Sequence, residues 1–207
     1  MNFTLPKIYP ITDTRLSGIS HAEQVERLIT GGAKIIQLRE KHASPVGFFS
    51  AAEDAIFLAR KYDVKVIIND RVDIALALKA DGVHLGQDDL PPENARAILG
   101  ETVVIGFSTH TLSQAIAAVK LPVDYIAFGP IFSTLSKQDT FPAVGIDGLR
   151  KVRDAIDNFP LVAIGGINAE NLRAVFKAGA DSAAMIDSIV SDAAKIKDRM
   201  REFLAFR

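Results

Sequence analysis

The sequence has no cysteine, and this absence removes several kinds of chemistry at once. Disulfides, thiol nucleophiles, iron–sulfur clusters and zinc sites built on cysteine are excluded. Neither a Walker A pattern nor a G-x-G-x-x-G pattern occurs, so neither of these nucleotide-binding loops is predicted. The candidate functional groups that remain are oxygen and nitrogen side chains.

An excess of charge and long apolar runs are also missing. The 24 basic and 25 acidic residues leave a formal net charge of −1, and no basic block or stripe appears. We therefore expect neither nucleic acid nor an anionic membrane as a partner. No apolar run approaches membrane-spanning length, and the start MNFTLPKIYPITD lacks the pattern of a signal peptide. These features predict a soluble, cytoplasmic protein, and they contain no indication of its oligomeric state.

Short apolar runs alternate with longer amphipathic segments along the whole chain. The runs are rich in Ile and Val and are bounded by turn residues, which is typical of buried parallel strands. They cover residues 7–13, 34–39, 65–70, 82–86, 102–108, 125–131, 161–167 and 182–187. A hydrophobic content of 48% over 207 residues suits one domain with a large core, and no break in composition marks a second domain.

The segments between these runs carry helix signals. In the second of them, Phe49, Ala52, Ile56 and Ala59 recur at spacings of three and four and form one apolar stripe. The predicted caps are Ser44 with Pro45, the pairs Ser20/Glu23 and Thr111/Gln114, and Asn168 with Gly179 at the other end of its helix. Eight strand–helix units predict an α/β fold, a single-domain (β/α)8 TIM barrel over residues 1–207, with a doubly wound open sheet as the alternative.

Two acidic residues follow consecutive predicted strands. Asp70 ends the third run, and Asp89 follows the fourth one repeat later. In a barrel, the loops after the strands open on one face, here called the mouth, where known active sites lie. Each Asp alone is explained equally well as a helix N-cap. Both together, beside Asn69 and Gln87, we interpret as a Mg²⁺ site that shares its ligand shell with water and substrate phosphates.

The second run ends in a row of polar groups, KIIQLREK. Period-two alternation places Gln37, Arg39 and Lys41 on one side and Ile36 and Leu38 on the other. A salt-bridged barrel interior is one explanation. We favour binding of an anionic ligand, because two cations follow one strand next to the predicted acidic pair, and unpaired polar groups in a buried strand are costly.

The loops after the fifth and sixth runs contain further candidates. Ser108 is a candidate hydrogen-bond donor to a ligand, whereas His110 fits a cap or surface residue better than a catalyst. The long loop GPIFSTLSKQDTFPAVG is either an anion-binding loop that closes over the ligand or a solvated loop tip. Its candidate ligand groups are Ser133, Thr134, Ser136 and Lys137.

The seventh run ends with two glycines, Gly165 and Gly166. They let the backbone approach a phosphate beside the free N–H groups of the next helix, or they form a tight turn that needs positive φ. Loops after strands seven and eight commonly bind phosphate in such barrels. With the cationic strand end, the mouth then has two anion-binding regions, which suggests two phosphorylated substrates, one of them a diphosphate.

Six motifs occur in a fixed order: QLREK, INDRVDIA, DGVHLGQDD, GFSTH, YIAFGPIFSTLSK and AIGGI. In this order and spacing they resemble the thiamine-phosphate synthase family, from about Tyr9 to Ile189. The resemblance implies a Mg²⁺-dependent transferase of thiamine biosynthesis. Such an enzyme joins hydroxymethylpyrimidine diphosphate to hydroxyethylthiazole phosphate and releases pyrophosphate.

The resemblance also implies a role for each matching position. Asp70 and Asp89 would hold Mg²⁺, and Ser108 and Lys137 would contact the pyrimidine substrate or its leaving group. The remaining positions would bind the pyrimidine diphosphate (Gln37, Arg39, Lys41, Asn69) or the thiazole phosphate (Thr134, Ser136, Gly166, Ile186, Asp187). Arg39, Lys41, Ser108 and Lys137 would take part in catalysis.

Two positions depart from the family pattern. Ser136 replaces a common Thr and keeps the hydroxyl, whereas Asp187 replaces a usual Ser. A carboxylate roughly 4 Å from a phosphate costs about 4 kcal/mol per unit charge at an effective dielectric near 20. Either the Asp187 side chain turns away, and only its backbone N–H serves, or the second substrate differs. We favour the first, because Asp can cap a short helix there.

Other functions remain open at this point, and on fold alone these include a phosphosugar isomerase or aldolase. A thiazole tautomerase shares the barrel and the Gly-Gly site, but it tends to lack the acidic pair and the QLREK pattern, and His110 would then be its acid–base group. A non-catalytic ligand-binding homologue is supported only by Asp187. Removal of the metal separates the tautomerase from the synthase, and tight binding without turnover would identify the non-catalytic homologue.

Overall fold

A closed barrel of eight parallel strands forms the centre of the protein, seen in a computed structural model that describes residues 4–133 and 141–206. The strands pair in chain order, and β8 closes on β1. They are β1 (Ile8–Thr12), β2 (Ile35–Leu38), β3 (Lys65–Asn69), β4 (Gly82–Leu85), β5 (Val104–Thr109), β6 (Tyr125–Phe128), β7 (Leu161–Ile164) and β8 (Ser182–Met185). The predicted single-domain TIM barrel is confirmed and the open sheet is wrong, while the exact extent over residues 1–207 stays a prediction.

Helices surround the barrel and connect its strands. They are α1 (Thr14–Ser17), α2 (His21–Gly31), α3 (Pro45–Arg60), α4 (Val72–Ala77), α5 (Pro92–Leu99), α6 (Leu112–Ala118), α7 (Gly145–Ile156), α8 (Leu172–Lys177), α9 (Asp187–Val190) and α10 (Ile196–Ala205). The sequence pattern did not predict α1, which lies between β1 and α2. After β8 the chain forms α9, a short 3-10 helix (Ala193–Lys195) and α10.

The predicted helix starts are mostly confirmed. Ser20 and Glu23 form a reciprocal capping box at α2, and Thr111 and Gln114 form another at α6. Ser44 accepts a hydrogen bond from the third residue of α3, which begins with proline. Each cap satisfies backbone donors that a helix start leaves unpaired, so these short sequences fix where the outer helices begin.

One predicted cap is wrong. Helix α8 begins at Leu172 after Asn171, whereas Asn168 lies four residues before it. The Asn168 side chain accepts hydrogen bonds from the N–H groups of Glu170 (3.0 Å) and Asn171 (3.2 Å). It therefore caps a separate turn between β7 and α8. At the other end, Gly179 has a φ of +99° directly after the last helical turn, as predicted.

The parallel strands are almost fully buried, because helices cover their outer side and side chains fill the barrel. Most inward positions are apolar, but a few polar side chains lie inside, among them Gln37 and His84. Within residues 4–133 and 141–206, no helix is long and apolar enough to cross a membrane. The cytoplasmic location stays a prediction.

Candidate active site

The carboxyl ends of β2, β3 and β4 bring charged side chains together at the mouth. Lys41, in the loop after β2, donates a hydrogen bond to the carboxylate of Asp70, which follows β3. Asp70 has a φ of +64°, and its N–H donates to the carbonyl of His84 on β4 (2.8 Å). Asp89 accepts a hydrogen bond from the N–H of Gly86 (2.6 Å) and also contacts the Asp70 side chain. The two predicted metal ligands are thus neighbours.

The alternative explanation of Asp70 and Asp89 as helix N-caps is wrong. The residue that precedes α4 is Arg71, and the residue that precedes α5 is Pro91. Both carboxylates therefore lie in the loops before these helices, where they face each other instead of backbone donors of the first helical turn.

The electrostatics of the acidic pair fit a cation. Partial burial raises the pKa of Asp89 to about 6, and contact with Asp70 adds to the rise, although the Gly86 N–H and Lys41 act in the opposite direction. In residues 4–133 and 141–206, no group of three or more His, Cys, Asp or Glu side chains could enclose a metal. Two carboxylates with open positions suit Mg²⁺, which retains water and phosphate oxygens among its ligands.

The three polar residues at the end of the second run differ in how far they are buried in the barrel. Gln37 is buried in the barrel, and its Nε2 donates to the Tyr9 hydroxyl (3.1 Å). Arg39 is half-buried beyond the end of β2 and donates from Nη1 to Asp13 (2.8 Å), while Lys41 is exposed. The pairs formed by Arg39 and Lys41 therefore lie at the mouth, not in a salt-bridged barrel interior.

Two further predicted residues line the same side of the barrel. Ser108 on β5 is half-buried, its Oγ lies 2.9 Å from Nε2 of His84, and its carbonyl accepts from Nε2 of Gln87 (2.6 Å). Asn69 is buried at the last position of β3, directly before Asp70. Asn69 adjoins Asp70 in the chain, and Ser108 contacts Gln87, two residues before Asp89, so neighbouring strand ends carry these candidate ligand groups.

His110 lies between two ends of the loop after β6. Its Nδ1 is 2.6 Å from the carbonyl oxygen of Gly129, and its ring stacks on Phe141 with 4.1 Å between centroids. It is half-buried, and its neighbour Thr111 caps α6. His110 therefore contacts the loop at two places, Gly129 at its start and Phe141 further along, and the expectation that it is not a catalyst stays a prediction.

The two glycines after β7 pack against the beginning of the β6 loop. Gly165 and Gly166 have φ values of +103° and +62°. A Cβ on Gly166 would lie 2.6 Å from the carbonyl oxygen of Ser133, and Gly165 accepts a hydrogen bond from the N–H of Phe132 (3.0 Å). Positive φ and close packing thus require glycine here. The phosphate-binding role stays a prediction, and Thr134, Ser136 and Lys137 lie outside the described residues.

Asp187 lies exposed at the first position of α9, directly after the buried Ile186. The position preceding this helix is occupied by Ile186, so Asp187 is not its N-cap. Exposure agrees with a side chain that turns away from a ligand, which stays a prediction.

Sequence reasoning missed four residues of this region: Tyr9, His84 and Tyr125 inside the barrel, and Asp13 at the mouth. The first three stand singly within apolar runs, where a single polar or aromatic residue does not differ from an ordinary core position. The available signal was the period-two alternation of each strand. It places His84 on the same face as Gly82, and Tyr9 on the same face as Ile11.

The fold and the geometry of the mouth define a class of protein: a TIM barrel whose strand ends carry cations, an acidic pair and a glycine turn on one face. Comparison with known proteins narrows this class. The family model "Thiamine monophosphate synthase" matches residues 8–189.

Curated relatives and a solved structure agree with that match. The thiamine-phosphate synthases of Chloroflexus aurantiacus and Clostridium novyi are each 46% identical, covering 89% and 90% of this chain and 85% and 91% of their own. The thiamine phosphate pyrophosphorylase from Pyrococcus furiosus is 38% identical with a TM-score of 0.84, covering 96% of this chain and 95% of its own. The chain belongs to the thiamine-phosphate synthase family, a family of transferases. This confirms the prediction from the motifs, and the tautomerase and the non-catalytic homologue are not favoured.

Proposed function

We propose that the protein joins hydroxymethylpyrimidine diphosphate to hydroxyethylthiazole phosphate in a Mg²⁺-assisted reaction, giving thiamine phosphate and pyrophosphate. The observation that carries this proposal is the meeting of Lys41, Asp70 and Asp89 at the mouth, with Arg39 on the same strand end. Cations beside a carboxylate pair are the combination that a metal–diphosphate complex requires.

The acidic pair would hold Mg²⁺ through Asp70 and Asp89. When bound, the ion supplies positive charge to the oxygens of the leaving diphosphate. Lys41 donates to Asp70, and with Mg²⁺ held by the acidic pair the ammonium of Lys41 would be available to a phosphate oxygen. The raised pKa of Asp89 supports this assignment: burial is its main cause, and the adjacent Asp70 carboxylate adds a repulsion that positive charge at the pair would relieve.

The proposed bond changes need no enzyme nucleophile, in agreement with the absence of cysteine. The bond between the pyrimidine methylene and the diphosphate oxygen breaks, and the oxygen leaves with the electron pair. The thiazole nitrogen then gives its lone pair to the methylene cation, which forms the new carbon–nitrogen bond. Arg39 and Lys41 stabilise the leaving group, and the buried wall of the barrel keeps water from the cation.

The remaining residues would bind and orient the substrates. Gln37 and Asn69 are buried, Ser108 is half-buried, and the three would hold the pyrimidine part. The backbone at Gly166 would approach the thiazole phosphate, together with Ile186 and the N–H of Asp187. The roles of Thr134, Ser136 and Lys137 rest on the sequence motif alone.

A turnover assay tests the proposal. Purified protein is mixed with both substrates and Mg²⁺, and thiamine phosphate and pyrophosphate are measured with and without EDTA. We expect equimolar products that disappear with EDTA, and a loss of kcat/KM of about a hundredfold or more in Asp70→Asn. Asp88→Asn removes an exposed neighbouring carboxylate and serves as the matched control.

Three results would contradict the proposal. Product formation that persists in EDTA would remove the metal from the reaction. Isomerisation of a thiazole phosphate without coupling would indicate the tautomerase, and tight substrate binding without product would indicate a binding protein.

A further inference from the structure

A continuous chain of hydrogen bonds crosses the inside of the barrel. The Gln37 amide donates to the hydroxyl of Tyr9 (3.1 Å), which lies 3.0 Å from the hydroxyl of Tyr125. That hydroxyl is 3.0 Å from Nδ1 of His84, and Nε2 of His84 is 2.9 Å from Oγ of Ser108. The five residues lie on five different strands, so the chain links β2 to β5 through the interior.

Both phenols of the chain stay protonated. Tyr9 is 1% exposed and Tyr125 is 0% exposed. Burial raises the pKa of both hydroxyls well above the usual range of tyrosine. Each phenol therefore contributes a single proton, which it donates in one direction while it accepts in the other.

The sequence leaves space for the central contact of the chain. A Cβ on Gly106 would lie 2.3 Å from the Tyr125 hydroxyl oxygen and 2.5 Å from Nδ1 of His84. The rings of Tyr125 and His84 stack with centroids 5.5 Å apart and planes inclined by 22°. Any larger residue at position 106 would displace one ring, so the contact depends on this glycine.

The donor at one end sets the direction of every bond in the chain. Since the Gln37 amide donates to Tyr9, the proton of Tyr9 points at Tyr125, and that of Tyr125 points at Nδ1 of His84. A neutral imidazole that accepts at Nδ1 carries its proton on Nε2 and donates to Ser108. The proton of the Ser108 hydroxyl is then directed away from His84.

We propose that this chain holds His84 as the Nε2–H tautomer and thereby makes Ser108 a hydrogen-bond donor to an unprotonated ring nitrogen of the pyrimidine substrate. His84 is a positioning residue, since it acts on the substrate through Ser108. The identity of the ligand rests on the proposed function, whereas the tautomer does not. A ring that carries N–H at the contacted position would meet a donor with a donor, which weakens binding on the order of ten- to a hundredfold.

Nitrogen NMR on the ligand-free protein tests the direction of the chain. The imidazoles of the four histidines are labelled with ¹⁵N, and the His84 signals are assigned by their loss in His84→Gln. We expect the Nε2–H tautomer at pH 7.5. Gln37→Glu replaces the donor by an acceptor and should reverse the chain, so that His84 becomes Nδ1–H. Should this variant not fold, Tyr125→Phe removes the donor to Nδ1 of His84 and should produce a mixture of tautomers.

Kinetics test the consequence for the substrate. We expect Tyr125→Phe to lower kcat/KM for the pyrimidine diphosphate by about tenfold and to leave KM for the thiazole phosphate unchanged. Tyr62→Phe is the matched control, since Tyr62 is 60% exposed and takes no part in the hydrogen-bond chain inside the barrel.

Each outcome bears on one proposal. An Nδ1–H or doubly protonated His84 in the unmodified protein would overturn the direction of the chain, as would a tautomer unaffected by Gln37→Glu. Equal losses for both substrates in Tyr125→Phe would overturn the positioning role. Absence of turnover with the expected tautomers would overturn the proposed reaction and leave the chain intact.

Discussion

Replacement of Asp89 by Asn should stabilise the metal-free protein at neutral pH. The carboxyl of Asp89 has its pKa raised to about 6, chiefly by burial and further by Asp70. In the unfolded chain its pKa is about 3.9. The folded state therefore binds the proton more tightly, and stability falls as the pH rises from about 4 to about 6. Above this window the ionised carboxyl destabilises the fold, and the neutral amide removes that cost.

The size of the effect follows from the pKa difference. A shift of about two units corresponds to about 3 kcal/mol at 1.36 kcal/mol per unit, and screening by solvent at this partly exposed site reduces it to about 1 kcal/mol. In a domain of this size, 1 kcal/mol raises Tm by roughly 2–4 °C. The Asn side chain can still accept from the Gly86 N–H, so the loop geometry is retained.

Thermal unfolding in EDTA measures this effect at pH 7.5 and at pH 4.5. We expect Asp89→Asn to raise Tm at pH 7.5 and to change it little at pH 4.5, where the carboxyl is already protonated. Addition of Mg²⁺ should stabilise the unmodified protein at pH 7.5 but not the variant. Asp88→Asn, at the exposed adjacent carboxylate, should leave Tm at pH 7.5 unchanged and should still be stabilised by Mg²⁺. A lower Tm of Asp89→Asn at pH 7.5, or an equal gain in Asp88→Asn, would refute the reasoning.

Three further substitutions test other parts of the mouth. Asp187→Ser should change KM for the thiazole phosphate less than about tenfold, since Asp187 is exposed, and a hundredfold improvement would show that its carboxylate faces the phosphate. Gly166→Ala should lower the free energy of unfolding by about 1–3 kcal/mol and raise KM for the thiazole phosphate, because its Cβ would meet the Ser133 carbonyl oxygen. Unfolding and kinetics are compared with those of Gly100→Ala. Gly100 has a positive φ of +79° as well, but a Cβ there would have no neighbour within 4 Å. Arg39→Lys should raise KM for the pyrimidine diphosphate about tenfold, since it loses the planar fork of donors, and an unchanged KM would separate Arg39 from the substrate.

The local sequence was sufficient for the architecture. The features that predict it depend only on residues near one another in the sequence. They are the buried runs of Ile and Val, the capping boxes at Ser20 and Thr111, and the repeat of strand and helix. The prediction that Asn168 caps α8 is wrong because it rested on the local sequence alone. A short polar side chain caps a turn as readily as a helix, and packing determines where α8 begins.

The candidate site was only partly predictable. Strand ends in a barrel share one face, so the meeting of Asp70 and Asp89 follows from the topology. Arg39 and Asp13 also follow neighbouring strands, but Asp13 caps α1 as well, and a polar residue before a helix gives no sign of a second partner. The stacking of His110 on Phe141 was equally hidden from the sequence.

The sequence by itself therefore determined the order of strands and helices, the absence of thiol chemistry and the family motifs, since these depend on residue type and spacing. Only the tertiary structure decided which polar groups meet inside the barrel. Tyr9 and Tyr125 are 116 positions apart, and their hydroxyls come within 3.0 Å only because β1 and β6 face each other across the closed sheet. Closure of the barrel turns single polar residues in separate strands into one connected chain, and no local pattern in the sequence encodes that contact.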